Sequence, residues 1–365
     1  MKRIVLRAVA AVTAAVLFFP VKAGAISAEK AVVMDSVTGR VLFERNADAK
    51  SLIASTTKIM TAYIVCRRCN VLDRFRIPKE AVGIEGSSMY LQEGEVLTIQ
   101  ELLYGLMLHS GNDAAVALAI YCGGSVEGFV DLMNEYAHGM GLQDTHFSNP
   151  HGLDAPDHYS TALDLAKLAS EAMKDPVFAM TVSTKTVSSA GRSLRNHNKL
   201  LWQLEGAEGV KTGYTKAAGR ILVSSVCRNG RRLVTVTINA PDDWDDHALL
   251  VENAFGNFHV TRIISSGDIV GYLEVAGGEC GSVELVAKED FDFPLCNDDC
   301  VSMELPGAGF VYAPICAGQQ ADKAKICVNG VEVGAIQLIY GKNIERLKEE
   351  NVSFWMKLYR RIAGG

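Results

Sequence analysis

Ser55-Thr56-Thr57-Lys58 opens an apolar run with helical spacing and places a hydroxyl and an amine three residues apart. Residues i and i+3 of a helix lie on one face, so the lysine can reach the serine. A serine hydroxyl becomes a good nucleophile only when a base takes its proton. On its own, the tetrapeptide also fits the start of a helix with an exposed lysine.

Two further motifs decide between these interpretations. Ser110-Gly111-Asn112 interrupts a helical pattern, and Lys211-Thr212-Gly213 lies in a strand-like run. Together, the three motifs supply the groups that acyl transfer by a serine needs when no histidine acts as the base. We predict that Ser55 attacks a carbonyl carbon. Lys58 is its predicted base, because burial near other cations lowers the pKa of a lysine and favours its neutral form.

The other polar motif residues are predicted to bind the substrate and to serve the leaving group. Ser110 would pass a proton to the leaving amine, and Asn112 would donate to a substrate amide and hold the base. Lys211 and Thr212 would offer a cation and a hydroxyl to a substrate carboxylate.

The third motif is also predicted to provide backbone contacts from an edge strand. Gly213 would leave room for an extended substrate to pair with that strand. The backbone N–H groups of Ser55 and Tyr214 are predicted to form an oxyanion hole. One such donor typically contributes about 3–4 kcal/mol to stabilisation of the transition state.

The order of the predicted elements indicates an α+β fold. Strands around Thr38-Gly39 form a first hairpin, helices fill the middle of the chain, and strands then return. Asn229-Gly230, a strong hairpin signal, joins the last two strands. The first hairpin and the last three strands are predicted to share one five-stranded antiparallel sheet with helices packed on it. The predicted strands are 31–35, 40–44, 209–215, 221–227 and 232–238.

Capping residues mark the predicted ends of several helices. Thr98-Ile99-Gln100-Glu101 is a capping box, Ser125 and Thr161 are N-cap residues, and Gly123-Gly124 ends a helix. A further helix is predicted over residues 245–258.

The first 25 residues have the pattern of a secretory signal peptide, with a basic start, an apolar stretch and the small residues Ala23-Gly24-Ala25 at its end. A retained signal anchor is the alternative, and both predict an exported protein. Removing this segment takes away four cations and no acid, so the formal charge goes from -6 to -10. Such a charge gives no indication of nucleic-acid binding, which requires a basic stripe.

The remaining chain is long enough for two domains. Residues 26–262 carry the three motifs and are predicted to form the catalytic domain. Residues 263–341 contain short strand-like runs and predict a small all-β, sandwich-like domain. Residues 342–365 combine cations and aromatic residues at helical spacing. They predict a C-terminal amphipathic helix that lies on a membrane surface or docks on its own domain.

Nine cysteines in an exported chain suggest disulfides, although an odd number leaves at least one thiol without a partner in the chain. Cys66 and Cys69 are either a redox pair or a partly buried thiol near an exposed one. Five cysteines in the C-terminal third either cross-link the small domain or stay reduced. Their spacing does not have the paired arrangement of a zinc site.

In combination, the three motifs resemble those of the penicillin-binding protein and serine β-lactamase superfamily. The sequence around them is most similar to the low-molecular-weight D-alanyl-D-alanine carboxypeptidases, peptidase family S11, over roughly residues 28–258. The stretches that carry this resemblance are 52–61 (LIASTTKIMT), 109–115 (HSGNDAA), 147–153 (FSNPHGL) and 209–215 (GVKTGYT).

The resemblance implies a β-lactamase/transpeptidase-like fold and removal of the terminal D-alanine from peptidoglycan pentapeptide stems through an acyl-enzyme on Ser55. It implies that penicillins acylate the same serine and that the reaction needs no metal or cofactor. It also implies that a terminal helix holds the enzyme on the outer face of the cytoplasmic membrane.

Two other functions are the alternatives. A serine β-lactamase needs a base for deacylation, and no Glu-x-x-x-Asn motif lies between Ser110 and Lys211. A non-catalytic penicillin-binding scaffold would not need the intact motifs. The segment 240–247 (APDDWDDH) departs from several relatives, which carry an arginine there. Lys211 and Thr212, or Arg220, would then have to bind the substrate carboxylate.

Three further residues near the motifs have predicted roles. His151 is either a catalytic base or a loop residue that holds a turn beneath the site, and the second interpretation is preferred. Arg195 and His197 are expected to contact the glycan or the peptide of the substrate.

Overall fold

The computed structural model describes residues 26–305, 307 and 309–347. These residues form two compact units that divide between Phe258 and His259. The predicted signal peptide lies outside the described residues. Each unit contains its own clusters of buried apolar residues.

The first unit combines strands with helices, as the sequence predicts. Its strands are β1 (Lys30–Asp35), β2 (Val41–Arg45), β3 (Arg74–Arg76), β4 (Val96–Thr98), β5 (Thr186–Ser189), β6 (Arg192–Arg195), β7 (Ala207–Thr215), β8 (Gly219–Arg228) and β9 (Arg231–Ile238). Its α-helices are α1 (Lys58–Arg68), α2 (Ile99–Leu108), α3 (Asn112–Gly123), α4 (Val126–Gly139), α5 (Ala162–Ala172), α6 (Pro176–Ser183), α7 (Leu200–Gln203) and α8 (Asp243–Asn257).

Five of these strands form one antiparallel sheet in the order β2-β1-β9-β8-β7. The predicted sheet is therefore confirmed, including the joining of the first hairpin to the last three strands. The last hairpin turns at Asn229 and Gly230, whose φ angles of 51° and 78° suit a tight two-residue turn. β7 is an edge strand, so one side of its backbone has no strand partner in this sheet.

The central strands are buried because helices pack on them. Residues 221–226 of β8 and residues 233–238 of β9 are all buried. Both α5 and α8 contact β9, which explains why neither face of this strand is exposed.

The helix ends follow the predicted capping residues. Thr98 and Glu101 form a capping box at the start of α2, and Ser125 and Thr161 accept backbone N–H groups at the starts of α4 and α5. α3 is followed by Gly124 in the left-handed region, with φ of 77°.

The shortest elements are absent from the sequence predictions. β3 pairs with β4, and β5 pairs with β6, in two-stranded sheets whose residues are exposed or half-buried except for Leu97 and Leu194. α6 is preceded by Asp175 as N-cap and begins with Pro176, a start signal that the sequence does contain. Short polar strands carry little hydrophobic periodicity, so the sequence predicts them poorly.

The second unit is all-β, as predicted. Six of its strands form a sheet in the order β14-β16-β17-β12-β11-β15, and β10 pairs with β13. Its strands are β10 (His259–Ile264), β11 (Ile269–Ala276), β12 (Ser282–Ala287), β13 (Phe291–Leu295), β14 (Val301–Glu304), β15 (Phe310–Tyr312), β16 (Gln320–Val328) and β17 (Val331–Tyr340).

The first residues of the predicted C-terminal helix are not helical, so that prediction is wrong for residues 342–347. Ile344 forms an isolated β-bridge with Ile315, and Arg346 forms one with Gly278. Ile344 is buried in the apolar cluster of this unit, and this burial outweighs the helical periodicity of the tail. The rest of the predicted helix lies outside the described residues.

Cys66 and Cys69 are both half-buried free thiols, so neither is the exposed thiol of the second alternative. Burial raises the pKa of Cys66 to about 12. Among the described residues no single helix has the length and apolar composition of a membrane span, although the bent pair α3 and α4 meets these criteria when joined.

Candidate active site

Ser55 lies in a 3-10 turn over Ala54–Thr57 that leads directly into α1. Two buried threonine side chains of this turn donate to backbone carbonyls three residues earlier, at 2.5 and 2.8 Å. These hydrogen bonds stabilise the turn locally. The helix α1 begins at Lys58 rather than directly after the serine.

Lys58 has no exposed surface, and its amine contacts three oxygen atoms. Its Nζ lies 2.9 Å from Ser55 Oγ, 2.7 Å from Asn112 Oδ1 and 2.6 Å from the carbonyl oxygen of His151. Burial lowers the pKa of Lys58 well below its usual value, and the positive charge of Lys211 lowers it further. The neutral amine that a general base requires is therefore favoured.

Two of the three oxygens orient this amine. Neither Asn112 Oδ1 nor the His151 carbonyl can donate a hydrogen bond, so each accepts one N–H of the neutral amine. The remaining lone pair then faces Ser55 Oγ. This is the direction from which Lys58 can take the hydroxyl proton.

The loop after α4 holds the His151 carbonyl in place. Asn149 Oδ1 accepts from the backbone N–H groups of His151 and Gly152, and Asn149 Nδ2 donates to the carbonyl of Leu153. The His151 ring accepts at Nδ1 from the Leu153 N–H. Burial lowers the pKa of His151 to about 4. The ring therefore holds the turn, as the preferred interpretation of the sequence has it.

Gly152 brings this loop against the turn that carries the serine. Its φ of 92° is left-handed, and a Cβ atom there would overlap the carbonyl of Ala54. A second link comes from His158, whose Nε2 lies 2.7 Å from Thr57 Oγ1. Its Nδ1 accepts from the Ser148 N–H, so Nε2 carries the proton and donates to the threonine.

Ser110 and Asn112 lie where α2 gives way to α3. Ser110 has a φ of 63°, which is uncommon outside glycine. Asn112 Nδ2 donates to the carbonyl of Glu85 at 2.6 Å, while its Oδ1 accepts from Lys58. One amide proton of Asn112 therefore remains for the predicted contact with a substrate.

A segment before α2, which the sequence analysis did not single out, reaches the site through Ser87. The Ser87 carbonyl accepts from the backbone N–H of Asn112 at 2.7 Å. Asp113 holds the same segment, because its carboxylate accepts from the backbone N–H groups of Met89 and Leu91. Asp113 is thus a structural residue beside the second motif.

β7 brings the third motif to the serine. A Cβ atom at Gly213 would lie 3.3 Å from the backbone nitrogen of Ser55, so a larger residue would push the strand away from the nucleophile. Lys211 is buried, and its Nζ donates to the carbonyl of Thr212 at 2.9 Å. Burial lowers the pKa of Lys211 to about 7. Tyr214 follows and is largely exposed.

The three motifs converge on one cavity of about 350 Å³. Ser55, Ser110, Thr212, Gly213 and Tyr214 line it, and the other three predicted site residues lie buried beside them. His197 and Arg220, which the sequence analysis names as possible substrate contacts, also line the cavity, and the structure adds Ser87, Lys199, Asp243 and Trp244. Among the described residues, no cluster of His, Cys, Asp or Glu side chains is arranged to hold a metal ion.

Arg220 supplies a cation to this cavity from β8, where it pairs with Tyr214 across the strands. Its Nη2 lies 2.7 Å from Asp243 Oδ1, and its guanidinium lies 5.8 Å from the centre of the Trp244 ring. Burial raises the pKa of Asp243, and Arg220 acts in the opposite direction. The first residues of α8, Asp243 and Trp244, thus position Arg220.

Two family models match the chain. Residues 18–242 match the peptidase S11 model, described as D-alanyl-D-alanine carboxypeptidase. Residues 258–346 match the model described as penicillin-binding protein 5, C-terminal domain.

Curated relatives match most of the chain. The D-alanyl-D-alanine carboxypeptidase DacD of Salmonella typhimurium is 34% identical over 326 residues, which cover 83% of this chain and 82% of that protein. The D-alanyl-D-alanine carboxypeptidase DacC of Escherichia coli is 36% identical over 347 residues, which cover 89% of this chain and 86% of that protein.

Solved structures are similar over the same length. Penicillin binding protein 5 from Haemophilus influenzae has a TM-score of 0.74 at 29% identity and covers 88% of this chain and 98% of its own. Penicillin binding protein 6B from Escherichia coli has a TM-score of 0.69 at 31% identity, and the match covers 86% of this chain and 95% of that chain.

Proposed function

The chain belongs to peptidase family S11, the D-alanyl-D-alanine carboxypeptidases, and on this basis we propose how its own residues carry out the reaction. It is a serine-type carboxypeptidase of a family that acts on peptidoglycan peptides ending in D-Ala-D-Ala and binds β-lactams. The observation that carries the proposal is the 2.9 Å contact between Lys58 Nζ and Ser55 Oγ beside the cavity.

The first step is acylation of Ser55. Neutral Lys58 takes the hydroxyl proton as Ser55 Oγ attacks the carbonyl carbon of the penultimate D-alanine. The backbone N–H groups of Ser55 and Tyr214 stabilise the negative oxygen, each by about 3–4 kcal/mol in the transition state. Ser110 relays the proton to the nitrogen of the scissile bond, which breaks and releases D-alanine.

The second step is hydrolysis of the acyl-enzyme. A water molecule gives a proton to Lys58 and attacks the same carbonyl carbon. The bond between the carbonyl carbon and Ser55 Oγ then breaks, and the serine regains a proton. The products are the shortened peptide and the free enzyme.

Two cations recognise the terminal carboxylate of the substrate. Lys211 and the Thr212 hydroxyl bind it from β7, and Arg220 approaches from β8, held by Asp243. A bound carboxylate raises the pKa of Lys211 and keeps it protonated. In this proposal, Arg220 does the work of the arginine that several relatives carry after the last strand.

The β-lactamase alternative has less support in the described cavity. Asp243 is the carboxylic acid among the described residues that line it, and this acid is engaged with Arg220. An acid that activates water for rapid lactam hydrolysis needs to be available to that water. A lactam acyl-enzyme on Ser55 is therefore expected to persist.

The enzyme is further proposed to work outside the cell, at the outer face of the cytoplasmic membrane. The signal-like sequence of residues 1–25 supports export. The tail contains Trp355, Lys357, Arg360 and Arg361, a composition that suits an anionic lipid surface. Sedimentation with anionic vesicles tests this part. Changing Lys357, Arg360 and Arg361 to glutamate is expected to abolish binding, and unchanged binding would contradict it.

Release of D-alanine from a pentapeptide ending in D-Ala-D-Ala tests the catalytic proposal. The native chain is expected to release D-alanine with multiple turnovers, and Ser55→Ala is expected to release none above background. Ser282→Ala, at an exposed serine of the second unit, is the matched control and retains full activity. Activity of Ser55→Ala at the native rate would contradict the proposal.

A further inference from the structure

The 85–91 segment (EGSSMYL) packs around Asn112, whose amide oxygen contacts the base. The carbonyl of Glu85 accepts from Asn112 Nδ2 at 2.6 Å, and the carbonyl of Ser87 accepts from the Asn112 backbone N–H at 2.7 Å. Between them, Gly86 has a φ of 92°, and a Cβ atom there would lie 2.7 Å from Asn112 Nδ2. The position of the Asn112 side chain therefore depends on the position of this segment.

Two side chains of opposite charge hold the second half of the segment. Asp113 accepts from the backbone N–H groups of Met89 and Leu91, at 3.0 Å each. Arg192 donates from Nε to the carbonyl of Met89 at 2.7 Å, and from Nη2 to the carbonyl of Tyr90 at 3.1 Å. The peptide groups on both sides of Met89 thus have charged hydrogen-bond partners, which bind more strongly than neutral ones.

The backbone at Tyr90 needs such support. Its φ of 59° lies in the left-handed region, which costs free energy for a residue other than glycine. Its side chain is 79% exposed, so burial does not offset this cost. The hydrogen bonds from Arg192 therefore stabilise a conformation that the segment does not prefer by itself.

The Arg192 side chain is fixed in orientation, because each of its five N–H groups has an acceptor. Besides the two carbonyls of the segment, Nη1 and Nη2 bind the carboxylate of Glu95 at 2.7 and 2.9 Å, and Nη1 donates to the carbonyl of Ala190 at 3.0 Å. Arg192 is the first residue of β6, 103 positions after Met89. A hairpin outside the three motifs thus contributes to the site.

We propose that Arg192 is a positioning residue for acylation of Ser55. It holds the 85–91 segment, the segment holds Asn112, and the Asn112 amide directs the lone pair of Lys58 toward the serine. This inference rests on the proposed roles of Lys58 and Asn112 in the reaction. Without the guanidinium, the carbonyls that bind Asn112 lose their fixed position, and the amine loses part of its orientation.

The kinetics of acylation by a penicillin test the proposal. Saturation with the penicillin separates the limiting first-order rate constant of acylation from the dissociation constant of the noncovalent complex. In Arg192→Gln the rate constant is expected to fall about tenfold or more, as expected when a reacting group is misplaced by a remote change. The dissociation constant is expected to change less than threefold. An unchanged rate constant, or a loss confined to binding, would overturn the inference.

A second variant shows whether the effect passes through the amide. Asn112→Ala removes the group on which the segment is proposed to act, so adding Arg192→Gln to it is expected to lower the rate constant less than threefold further. A further loss as large as in the native background would overturn the inference, because Arg192 would then act independently of Asn112.

The matched control is Arg228→Gln. The Arg228 side chain is 21% exposed, as is that of Arg192, and it also forms a bidentate pair with a glutamate, Glu252. Its loss is expected to leave the rate constant within twofold of native. A loss equal to that of Arg192→Gln would show that any broken ion pair has this effect, and would overturn the inference.

A milder variant serves if Arg192→Gln does not fold. Glu95→Gln loosens the guanidinium without removing it and is expected to lower the rate constant about threefold in the native background and not at all beside Asn112→Ala. An equal loss in both backgrounds would overturn the inference. Because penicillin acylation is measured without D-alanine release, a native chain that is acylated but releases no D-alanine would overturn the proposed function alone.

Discussion

Lys58 Nζ lies 2.7 Å from Asn112 Oδ1, so the base of the first motif is hydrogen-bonded to the amide of the second across 54 positions of sequence. The amide oxygen accepts one proton of the amine without adding a negative charge. This arrangement preserves the lowered pKa that lets Lys58 act as a base.

Replacing this amide by an acid tests that relationship. In Asn112→Asp a carboxylate at hydrogen-bond distance stabilises the ammonium form and raises the pKa of Lys58. At pH 7 we expect kcat/KM to fall about 100-fold or more, within the range that general-base catalysis contributes. The acid limb of the pH profile should move to higher pH. Asn253→Asp, on α8, is the control and should leave the profile as it is. An unshifted acid limb in Asn112→Asp would contradict the assigned base.

Lys211 is expected to limit activity at high pH, whereas Lys58 limits it at low pH. Its pKa in the empty site is lowered to about 7 by burial, and its charged form binds the substrate carboxylate. As the pH rises through about 7, free enzyme loses this charge, so kcat/KM for a D-Ala-D-Ala peptide is expected to decline. The corresponding decline in kcat should occur at higher pH, because the bound carboxylate raises the pKa of Lys211.

An ester substrate without a terminal carboxylate provides the comparison for this limb. Its kcat/KM should not decline near pH 7, because its binding does not depend on the lysine charge. The same decline with both substrates would show that another group causes it.

Arg220 is expected to bind the substrate rather than to act on the reacting atoms. In Arg220→Ala, KM for a D-Ala-D-Ala peptide should rise about tenfold with kcat changed less than threefold, since one charge-assisted hydrogen bond contributes about 1.5–3 kcal/mol. Arg228→Ala is the matched control, because Arg228 lies on the same strand but pairs with Glu252. A loss confined to kcat would refute this role for Arg220.

Gly152→Ala should destabilise the fold around the serine. The left-handed φ and the overlap with the carbonyl of Ala54 both oppose a side chain. We expect a loss of about 3 kcal/mol or more in the free energy of unfolding, measured by denaturant titration. Gly139→Ala, at the end of α4, meets nothing within 4 Å and should be neutral or stabilising. Equal stability of the two variants would show that the loop at Gly152 does not pack closely against the turn at Ala54.

Most of the fold could be predicted from the sequence because its long elements carry strong local signals. The Asn229-Gly230 turn, the capping box at Thr98 and Gly124 after α3 each specify a boundary by backbone chemistry alone. The five-stranded sheet followed from the order of these elements. The small β domain followed from its short, glycine-separated runs.

The site was predictable where a motif places several groups together, and less so where one group comes from a distant loop. Ser87, Lys199 and Trp244 reach the cavity through tertiary packing, and their local sequence has no catalytic pattern. The His151 carbonyl is a main-chain group that any residue supplies, so its contact with Lys58 has no sequence signal. The tail prediction failed at Ile344, because burial in the second unit decides its conformation.

The central claim is that Ser55 is the nucleophile, activated by Lys58. The most direct measurement is the mass of the intact protein after incubation with a penicillin, followed by proteolysis and fragment sequencing of the labelled peptide. We predict one penicilloyl group per chain, attached to Ser55 and absent from Ser55→Ala. A label on Ser110 or any other residue, or an undiminished label in Ser55→Ala, would contradict the account.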